Sequence, residues 1–274
     1  MALPILCGSF SLHPVSTGAA MHNGGYRAIG LNWHYVPFAV THIADAVAAM
    51  RTLGHRGVGV SYPFKESVMP LLDAIDADAA AMGAVNTIVN TNGHLTGYNT
   101  DWIGGAGALR EVTLLRDKRI VIIGAGGAAR AVATGLAREG ASLTIVNRTY
   151  EKGKVLADSL KARVASLEAI DLDAIDIVVN ATSVGMAGVC DALPIDPSRL
   201  EARHIVMDIV YKPLRTPWLI AAKDRGAKTI GGERMLLHQA AAQFALYTER
   251  EAPLAAMAAA LDVELSGVGT SNRH

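Results

Sequence analysis

A run of four aliphatic residues that leads directly into a glycine-rich turn is the feature that most constrains this chain. Residues 120–130 read Ile-Val-Ile-Ile-Gly-Ala-Gly-Gly-Ala-Ala-Arg, which fits a buried strand, then G-x-G-x-x-A, then the start of a helix. In that arrangement Gly124 permits the tight turn, Gly126 lets the backbone approach a pyrophosphate, and the small Ala129 lets helix and strand pack closely. The predicted cofactor-binding residues of this loop are Gly124, Gly126, Gly127 and Ala128. The segment predicts a dinucleotide-binding βαβ unit, and a glycine turn used only for packing is the alternative.

The end of the next predicted strand discriminates between the two nicotinamide dinucleotides. NAD-binding units carry Asp or Glu about twenty residues after the glycine loop, where the carboxylate binds the ribose 2′-hydroxyl. This chain has Asn147, Arg148 and Thr149 there, followed by Lys152 and Lys154. A guanidinium can hold a 2′-phosphate through its planar fork and stack on adenine. We therefore predict NADP, with Asn147, Arg148, Thr149 and Lys152 as cofactor-binding residues, against the alternative of an ordinary surface arginine.

Strand-like apolar runs alternate with helical patterns along the whole chain, which is typical of an α/β architecture with a largely parallel sheet. The predicted strands lie at 4–7, 33–38, 57–60, 86–90, 94–98, 120–123, 142–146, 175–179 and 205–209. The length of 274 residues fits one large domain or two modest ones. We predict two: a substrate-binding domain of residues 1–103 completed by 238–274, and an NADP-binding Rossmann domain of residues 104–237.

Local signals add detail to the first hundred residues. The Asn92-Gly93 pair predicts the tight turn of a hairpin. A helix is predicted over 41–53, with Thr41 as its cap and Gly54 as its stop.

The charge balance excludes several classes of partner. Lys and Arg number 25 and Asp and Glu number 25, so the chain has no net charge to hold a nucleic acid or an anionic membrane.

Cys7 and Cys190 lie far apart without the spacing of a zinc site or a disulfide framework, and the histidines show no metal-ligand spacing. Because no charged leader and no long uncharged apolar run is present, we predict a cytoplasmic protein without a membrane span.

Polar side chains beside strands of the first hundred residues indicate a second candidate site. Lys65 follows the strand at 57–60 and a turn at Pro63, so its ammonium is expected at the carboxyl end of that strand, at the start of a helix. A lysine there can polarise or protonate a carbonyl oxygen, and Asp101 could pair with it, while an exposed helix lysine is the ordinary alternative. Amides such as those of Asn86 and Gln239 suit a small polyhydroxylated substrate.

Taken together, these runs resemble the shikimate dehydrogenase family over nearly the whole chain. The matching stretches are 21–23, 63–66, 83–88, 99–101, 124–130, 147–149, 180–186 and 232–239. The resemblance implies catalysis in a cleft between a substrate domain and an NADP domain, with reversible oxidation of shikimate to its 3-keto form, a step of chorismate and aromatic amino acid biosynthesis. It also implies individual roles: Lys65 and Asp101 as the catalytic pair, Ser61, Asn86 and Gln239 on the cyclic polyol, Tyr211 near its carboxylate, Thr182 near the cofactor ribose, and Gly232 and Met235 by the nicotinamide.

The chain departs from the family pattern at three places. The usual Ser-x-Ser-Pro, whose hydroxyls grip the substrate carboxylate, is replaced by Ser16-Thr17-Gly18, in which Ser16 matches the first serine, Gly18 has no side chain, and Thr17 could substitute if the loop shifts. Trp102 stands where the family has glycine, and Arg234 where it has a small residue. These changes resemble the shikimate dehydrogenase-like branch. A quinate or amino-shikimate dehydrogenase and a non-catalytic NADPH-binding sensor are the alternatives, and a monomer or homodimer is expected.

Overall fold

The computed structural model describes residues 3–190 and 192–268, which fall into two compact units. The first unit ends at Thr100 and resumes at Gln239, and the second runs from Asp101 to His238. Within the described ranges, every helix is too short or too polar to span a bilayer.

Strands and helices alternate through both units. The elements up to residue 100 are β1 (Ile5–Ser11), α1 (Thr17–Ala28), β2 (Trp33–Ala39), α2 (Ile43–Leu53), β3 (Gly57–Val60), β4 (Ala74–Ile75), α3 (Ala77–Met82), β5 (Thr87–Thr91) and β6 (His94–Tyr98). The later elements are α4 (Asp101–Arg110), β7 (Arg119–Ile123), α5 (Gly127–Arg138), β8 (Ser142–Val146), α6 (Tyr150–Leu160), β9 (Arg163–Ala165), β10 (Ile177–Asn180), β11 (Ile205–Asp208), α7 (Pro217–Asp224), β12 (Lys228–Ile230), α8 (Gly232–Thr248) and α9 (Leu254–Val268). Helix α8 passes from the second unit into the first.

The first unit contains a mixed six-stranded sheet in the order β2-β1-β3-β5-β6-β4. Strands β1, β2 and β3 run parallel, whereas β5 is antiparallel to both β3 and β6. The turn between β5 and β6 has positive φ at Asn92 (53°) and Gly93 (89°), which confirms the predicted hairpin. Aliphatic residues such as Val58, Ile88 and Leu95 are fully buried against this sheet.

The second unit contains an all-parallel six-stranded sheet in the order β12-β11-β10-β7-β8-β9. Alternate residues of β7 enter two separate cores: Ile120 and Ile122 one, Val121 and Ile123 the other. Burial on both faces is expected of a parallel sheet covered on its two sides, and the doubly wound order confirms the predicted Rossmann arrangement. The carboxyl ends of these strands meet at one edge, where open α/β sheets bind ligands.

Two local predictions were wrong. No helix follows Pro63, because the carbonyl of Lys65 accepts a hydrogen bond from the backbone N–H of Val85 (2.8 Å), and the chain forms turns until a short 3-10 helix at Met69–Leu71. The N-cap position of helix α2 is His42 rather than Thr41, since the extended backbone lies at His42 (φ −126°), and the His42 side chain makes no capping hydrogen bond. The predicted stop at Gly54 is confirmed by its left-handed conformation.

Candidate active site

The glycine loop of the second unit connects β7 to α5. Gly124 has φ +121°, and a Cβ there would lie 2.8 Å from the carbonyl oxygen of Ala181, so both the conformation and the space require glycine. Gly126 and Gly127 instead have nothing within 4 Å of a would-be Cβ. No side chain caps the first turn of α5, and Ala129 is fully buried beneath it. The start of α5 therefore offers open backbone N–H groups at a positive helix end, which fits a pyrophosphate.

Exposed cations follow the end of β8. Arg148 and Lys152 are both exposed, and neither forms an ion pair with another residue of the described ranges. Lys154 is different, because its Nζ lies 2.5 Å from a carboxylate oxygen of Asp158. The Asn147 amide donates to the Thr149 carbonyl (2.8 Å), which fixes the turn that presents Arg148. These residues fit a 2′-phosphate.

A buried polar network fixes the ends of β10 and β11, and Thr182 is its one member for which the sequence predicted a role. The Asn180 amide nitrogen donates to a carboxylate oxygen of Asp208 (2.9 Å), and its carbonyl oxygen accepts from the Thr182 hydroxyl (2.6 Å). Asp208 also accepts from the Thr216 hydroxyl (2.8 Å) and the Val210 N–H (3.0 Å). Burial raises the pKa of Asp208, and these hydrogen bonds only partly oppose that change. The network holds Thr182 beside Gly124. The sequence signal for this network was a polar residue at the end of each of two apolar strands, Asn180 on β10 and Asp208 on β11.

The other predicted site residues of the second unit, Gly232, Met235 and Tyr211, are buried or half-buried. A Cβ on Gly232 would overlap the carbonyl of Ile209, so glycine is required where α8 begins. Met235 is only 8% exposed and belongs to the hydrophobic core. Tyr211 is half-buried, and burial raises the pKa of its hydroxyl.

Both unusual residues of the second unit have identifiable contacts. The Trp102 ring lies under the Arg138 guanidinium, 4.5 Å from its carbon. Arg234 makes a two-pronged ion pair with Glu111, one N–H to oxygen distance being 2.9 Å, and His238 Nε2 lies 2.7 Å from the same carboxylate. Burial alone would raise the pKa of Glu111, but the hydrogen bonds from Arg234 and His238 lower it.

In the first unit, a buried network of amides and hydroxyls centres on Asn86, which is 2% exposed. Its carbonyl oxygen accepts from the Thr100 N–H (2.8 Å) and the Thr87 hydroxyl (2.6 Å), and its amide donates to the Thr100 hydroxyl (3.0 Å). The Gln243 side-chain amide donates to the Thr87 hydroxyl (2.9 Å) and to the backbone carbonyl of Asn86 (3.2 Å). Gln243 was not predicted. Because Gln239 lies four residues earlier on α8, its side chain is on the same helical face as Gln243.

The predicted catalytic residues lie close in sequence to this network. Val85, whose N–H binds the Lys65 carbonyl, precedes Asn86, and the half-buried Lys65 lies in the turns after β3 together with the exposed Ser61. Asp101 is 8% exposed, begins α4 in the second unit, and directly follows Thr100. The pairing of Lys65 with Asp101 stays a prediction.

The Ser16-Thr17-Gly18 segment starts α1. The Ser16 hydroxyl donates a short hydrogen bond to the carboxylate of Glu264 on α9. Thr17 is 5% exposed, and a Cβ on Gly18 would lie 3.5 Å from the ring of Tyr35. His22, one turn further along, stacks on Tyr35 with 4.2 Å between ring centres, and burial lowers the pKa of His22 to about 4. In the described ranges, no group of three or more His, Cys, Asp or Glu could hold a metal ion.

A dinucleotide-type parallel sheet in one unit and a buried polar network in the other define a two-unit α/β protein with a Rossmann-type domain. Family models match the chain in three stretches: the shikimate dehydrogenase substrate binding domain over residues 13–88, shikimate/quinate 5-dehydrogenase over 107–190, and the shikimate 5′-dehydrogenase C-terminal domain over 232–261. A shikimate dehydrogenase (NADP(+)) of Moorella thermoacetica is 43% identical over 261 residues, covering 89% of this chain and 88% of that protein. The chain belongs to the shikimate dehydrogenase family.

Solved structures agree with this assignment. A shikimate dehydrogenase crystallised in complex with NADP+ superposes with a TM-score of 0.89 at 38% identity, covering 96% of each chain. The ligand-free 5-ketofructose reductase of Gluconobacter sp. strain CHM43 superposes with a TM-score of 0.88 at 35% identity, covering 95% of this chain and 99% of that one.

Proposed function

We propose that this chain is an NADP-dependent shikimate dehydrogenase that reversibly oxidises a ring hydroxyl of shikimate to give 3-dehydroshikimate. The observation that carries the proposal is the glycine loop: Gly124 is sterically required, Gly126 leaves open space, and the N–H groups that begin α5 lack a side-chain cap. Bound NADP supplies the hydride acceptor of the reaction. The residues of this chain bind the two ligands and move the proton.

The cofactor-binding assignments follow from the carboxyl edge of the parallel sheet. We assign the pyrophosphate to Gly124, Gly126, Gly127 and Ala128, the 2′-phosphate to Asn147, Arg148, Thr149 and Lys152, and the nicotinamide end to Thr182, Gly232 and Met235. Support comes from the exposed cations at the end of β8 and from the network that fixes Thr182. A 2′-phosphate carries negative charge that an NAD-type carboxylate would repel, so Arg148 favours NADP.

The substrate and catalytic assignments are concentrated in the first unit. Lys65 takes the hydroxyl proton during oxidation and returns it to the carbonyl oxygen during reduction, and Asp101 stabilises the protonated amine. The ring hydroxyls are assigned to Ser61, Asn86 and Gln239, and the carboxylate end to Ser16, Thr17 and Tyr211. Asn86 is supported by its fixed orientation, since hydrogen bonds with Thr87 and Thr100 hold its side-chain amide.

A substrate and cofactor panel tests the proposal. Purified protein is assayed with shikimate and quinate, each against NADP and NAD. We expect oxidation of shikimate with a preference for NADP. Absence of oxidation of either acid would refute the dehydrogenase proposal, and a preference for NAD would refute the role of Arg148.

A second candidate activity is the reduction of a neutral polyhydroxy ketone. It is favoured by Gly18, which removes one hydroxyl from the segment assigned to the substrate carboxylate, and by the similarity to 5-ketofructose reductase. NADPH oxidation with 5-ketofructose but not with 3-dehydroshikimate would select it.

We also propose a cytoplasmic monomer or homodimer without a nucleic-acid or membrane partner. Two free cysteines, one buried and one partly buried, suit a reducing compartment, and the zero net charge gives no general attraction to polyanions. Sedimentation at several protein concentrations distinguishes monomer from dimer.

A further inference from the structure

The start of α1 carries a negative charge supplied by a distant part of the chain. We propose that Glu264 is a specificity-determining residue that competes with the substrate carboxylate for the Ser16 hydroxyl and thereby weakens the binding of an acid relative to its neutral analogue. This inference rests on the proposed function, because it uses the assignment of Ser16 to the substrate.

The geometry around Ser16 shows how Glu264 contacts the start of α1. Ser16 precedes the first turn of α1, which contains no acidic residue, and its hydroxyl makes no hydrogen bond to the backbone of its own helix. The hydroxyl donates to the carboxylate of Glu264 instead. A helix N-terminus attracts anions, so the start of α1 is where a carboxylate is stabilised. In this protein the side chain of Glu264 supplies that carboxylate.

The neighbouring positions offer no second exposed hydroxyl. Thr17 is 5% exposed, whereas Ser16 is exposed. Gly18 has no side chain, and the ring of Tyr35 lies within 4 Å of the place where its Cβ would be. An incoming carboxylate would therefore compete with Glu264 for the one exposed hydroxyl of this segment.

The carboxylate of Glu264 is not paired with a cation of the described ranges. The residue is partly buried. A second carboxylate that shared the Ser16 hydroxyl would lie about 4 Å away, a separation at which like charges repel even with solvent screening. A neutral polyol or ester in the same place would not meet this repulsion.

The competing explanation is that Glu264 only complements the dipole of α1. Both explanations predict a loss of stability when the charge is removed, but only ours predicts a change in the choice between charged and neutral substrates. The ratio of affinities for an acid and its neutral ester therefore distinguishes the two.

The experiment compares shikimate with its methyl ester, which keeps the ring hydroxyls and removes the charge. The variants are Glu264→Gln and Glu264→Lys, with Glu251→Gln as a matched control that removes an exposed acid from the same unit. Two quantities are measured for each protein: equilibrium binding of both compounds, and kcat/KM with NADP. Thermal unfolding checks that each variant is folded.

We expect Glu264→Gln to raise the acid-to-ester affinity ratio about tenfold, as for removal of one repulsive contact of moderate strength. Glu264→Lys should raise the ratio further, and Glu251→Gln should leave it within about twofold. Adding Ser16→Ala to Glu264→Gln should remove the gain, because the freed hydroxyl is then lost.

An unchanged ratio in folded Glu264→Gln and Glu264→Lys overturns the inference and leaves Glu264 as a helix cap. Failure of every protein to bind either compound overturns it together with the substrate assignment. Binding with the expected change of ratio but without turnover supports the role of Glu264 while refuting the dehydrogenase activity.

Discussion

In the second unit several groups assigned to the cofactor are exposed backbone and exposed cations, whereas in the first unit Asn86, which is assigned to the substrate, is buried and already hydrogen-bonded to its neighbours. Arg148 and Lys152 are exposed, and Gly126 and Gly127 face open space. Asn86, Thr87 and Thr100 are at most 2% exposed and share a single network. Loss of an exposed group is expected to weaken ligand binding alone, while loss of a buried one also leaves partners unsatisfied and destabilises the fold.

Lys65 is half-buried, and replacing it should have the largest effect on activity. It is the only lysine in residues 1–100 and 239–274, so the first unit has no second lysine that could take over its proton transfer. We expect Lys65→Ala to lower kcat about a hundredfold or more, the usual contribution of a positioned general acid or base. Steady-state kinetics with shikimate and NADP give kcat, and NADPH binding should change little.

Lys65→Arg is the control for charge alone. Arginine keeps the cation but does not release a proton at working pH, so it should lower kcat nearly as much as alanine does. Full activity of Lys65→Arg would show that Lys65 contributes only its charge.

The comparison also explains what the sequence could predict. The glycine loop and the Asn92-Gly93 turn were predictable because each depends on backbone conformations that few residues adopt. The cofactor role of Arg148 stays a prediction, made from its fixed position after that loop.

Contacts between distant segments were not predictable in the same way. Ser16 and Glu264 are 248 positions apart, and Gln243 reaches Thr87 across 156 positions. Pattern and propensity describe neighbours in sequence, whereas these pairs depend on how α9 and α8 pack in the folded unit. The wrongly predicted helix after Pro63 has the same origin, because the Lys65 carbonyl binds the distant Val85.

Replacing Arg148 tests the exposed side of the comparison. We expect Arg148→Ala to raise the KM for NADP about tenfold or more, since hydrogen bonds to charged groups contribute about 1.5–3 kcal/mol. The KM for NAD and the melting temperature should change little, because Arg148 makes no described ion pair. Arg163→Ala is the matched control: it removes an exposed arginine at the opposite, amino end of the sheet. An equal rise in KM from both variants would indicate a general charge effect.

Replacing Asn86 tests the buried side. We expect Asn86→Ala to destabilise the fold by about 2 kcal/mol, because the Thr100 N–H and Thr87 hydroxyl lose their acceptor, and to raise the KM for shikimate as well. Thermal and denaturant unfolding give the stability, and kinetics give the KM.

Asn90→Ala, on the strand that follows Asn86, provides the control. Asn90 is 7% exposed and accepts from the Gly93 N–H (2.8 Å) at the hairpin turn. It should lower stability without changing the KM for shikimate. If Asn86→Ala behaved identically, Asn86 would be a structural residue only.

The smallest effect is expected at Glu111, where the second unit does contain a partly buried ion pair. The Glu111 side chain is 27% exposed, and its contacts with Arg234 and His238 lower its pKa in the folded state. A lowered folded-state pKa means that the stabilisation is present above the unfolded value and is lost as the pH falls through the folded one. Glu111→Gln should therefore destabilise the protein by about 1 kcal/mol at neutral pH, and the difference from wild type should shrink below the ordinary glutamate pKa of 4.5. Glu139→Gln, which breaks the more exposed pair with Arg110, should have a smaller effect at neutral pH, and equal effects would mean that the bidentate geometry of Arg234 adds nothing.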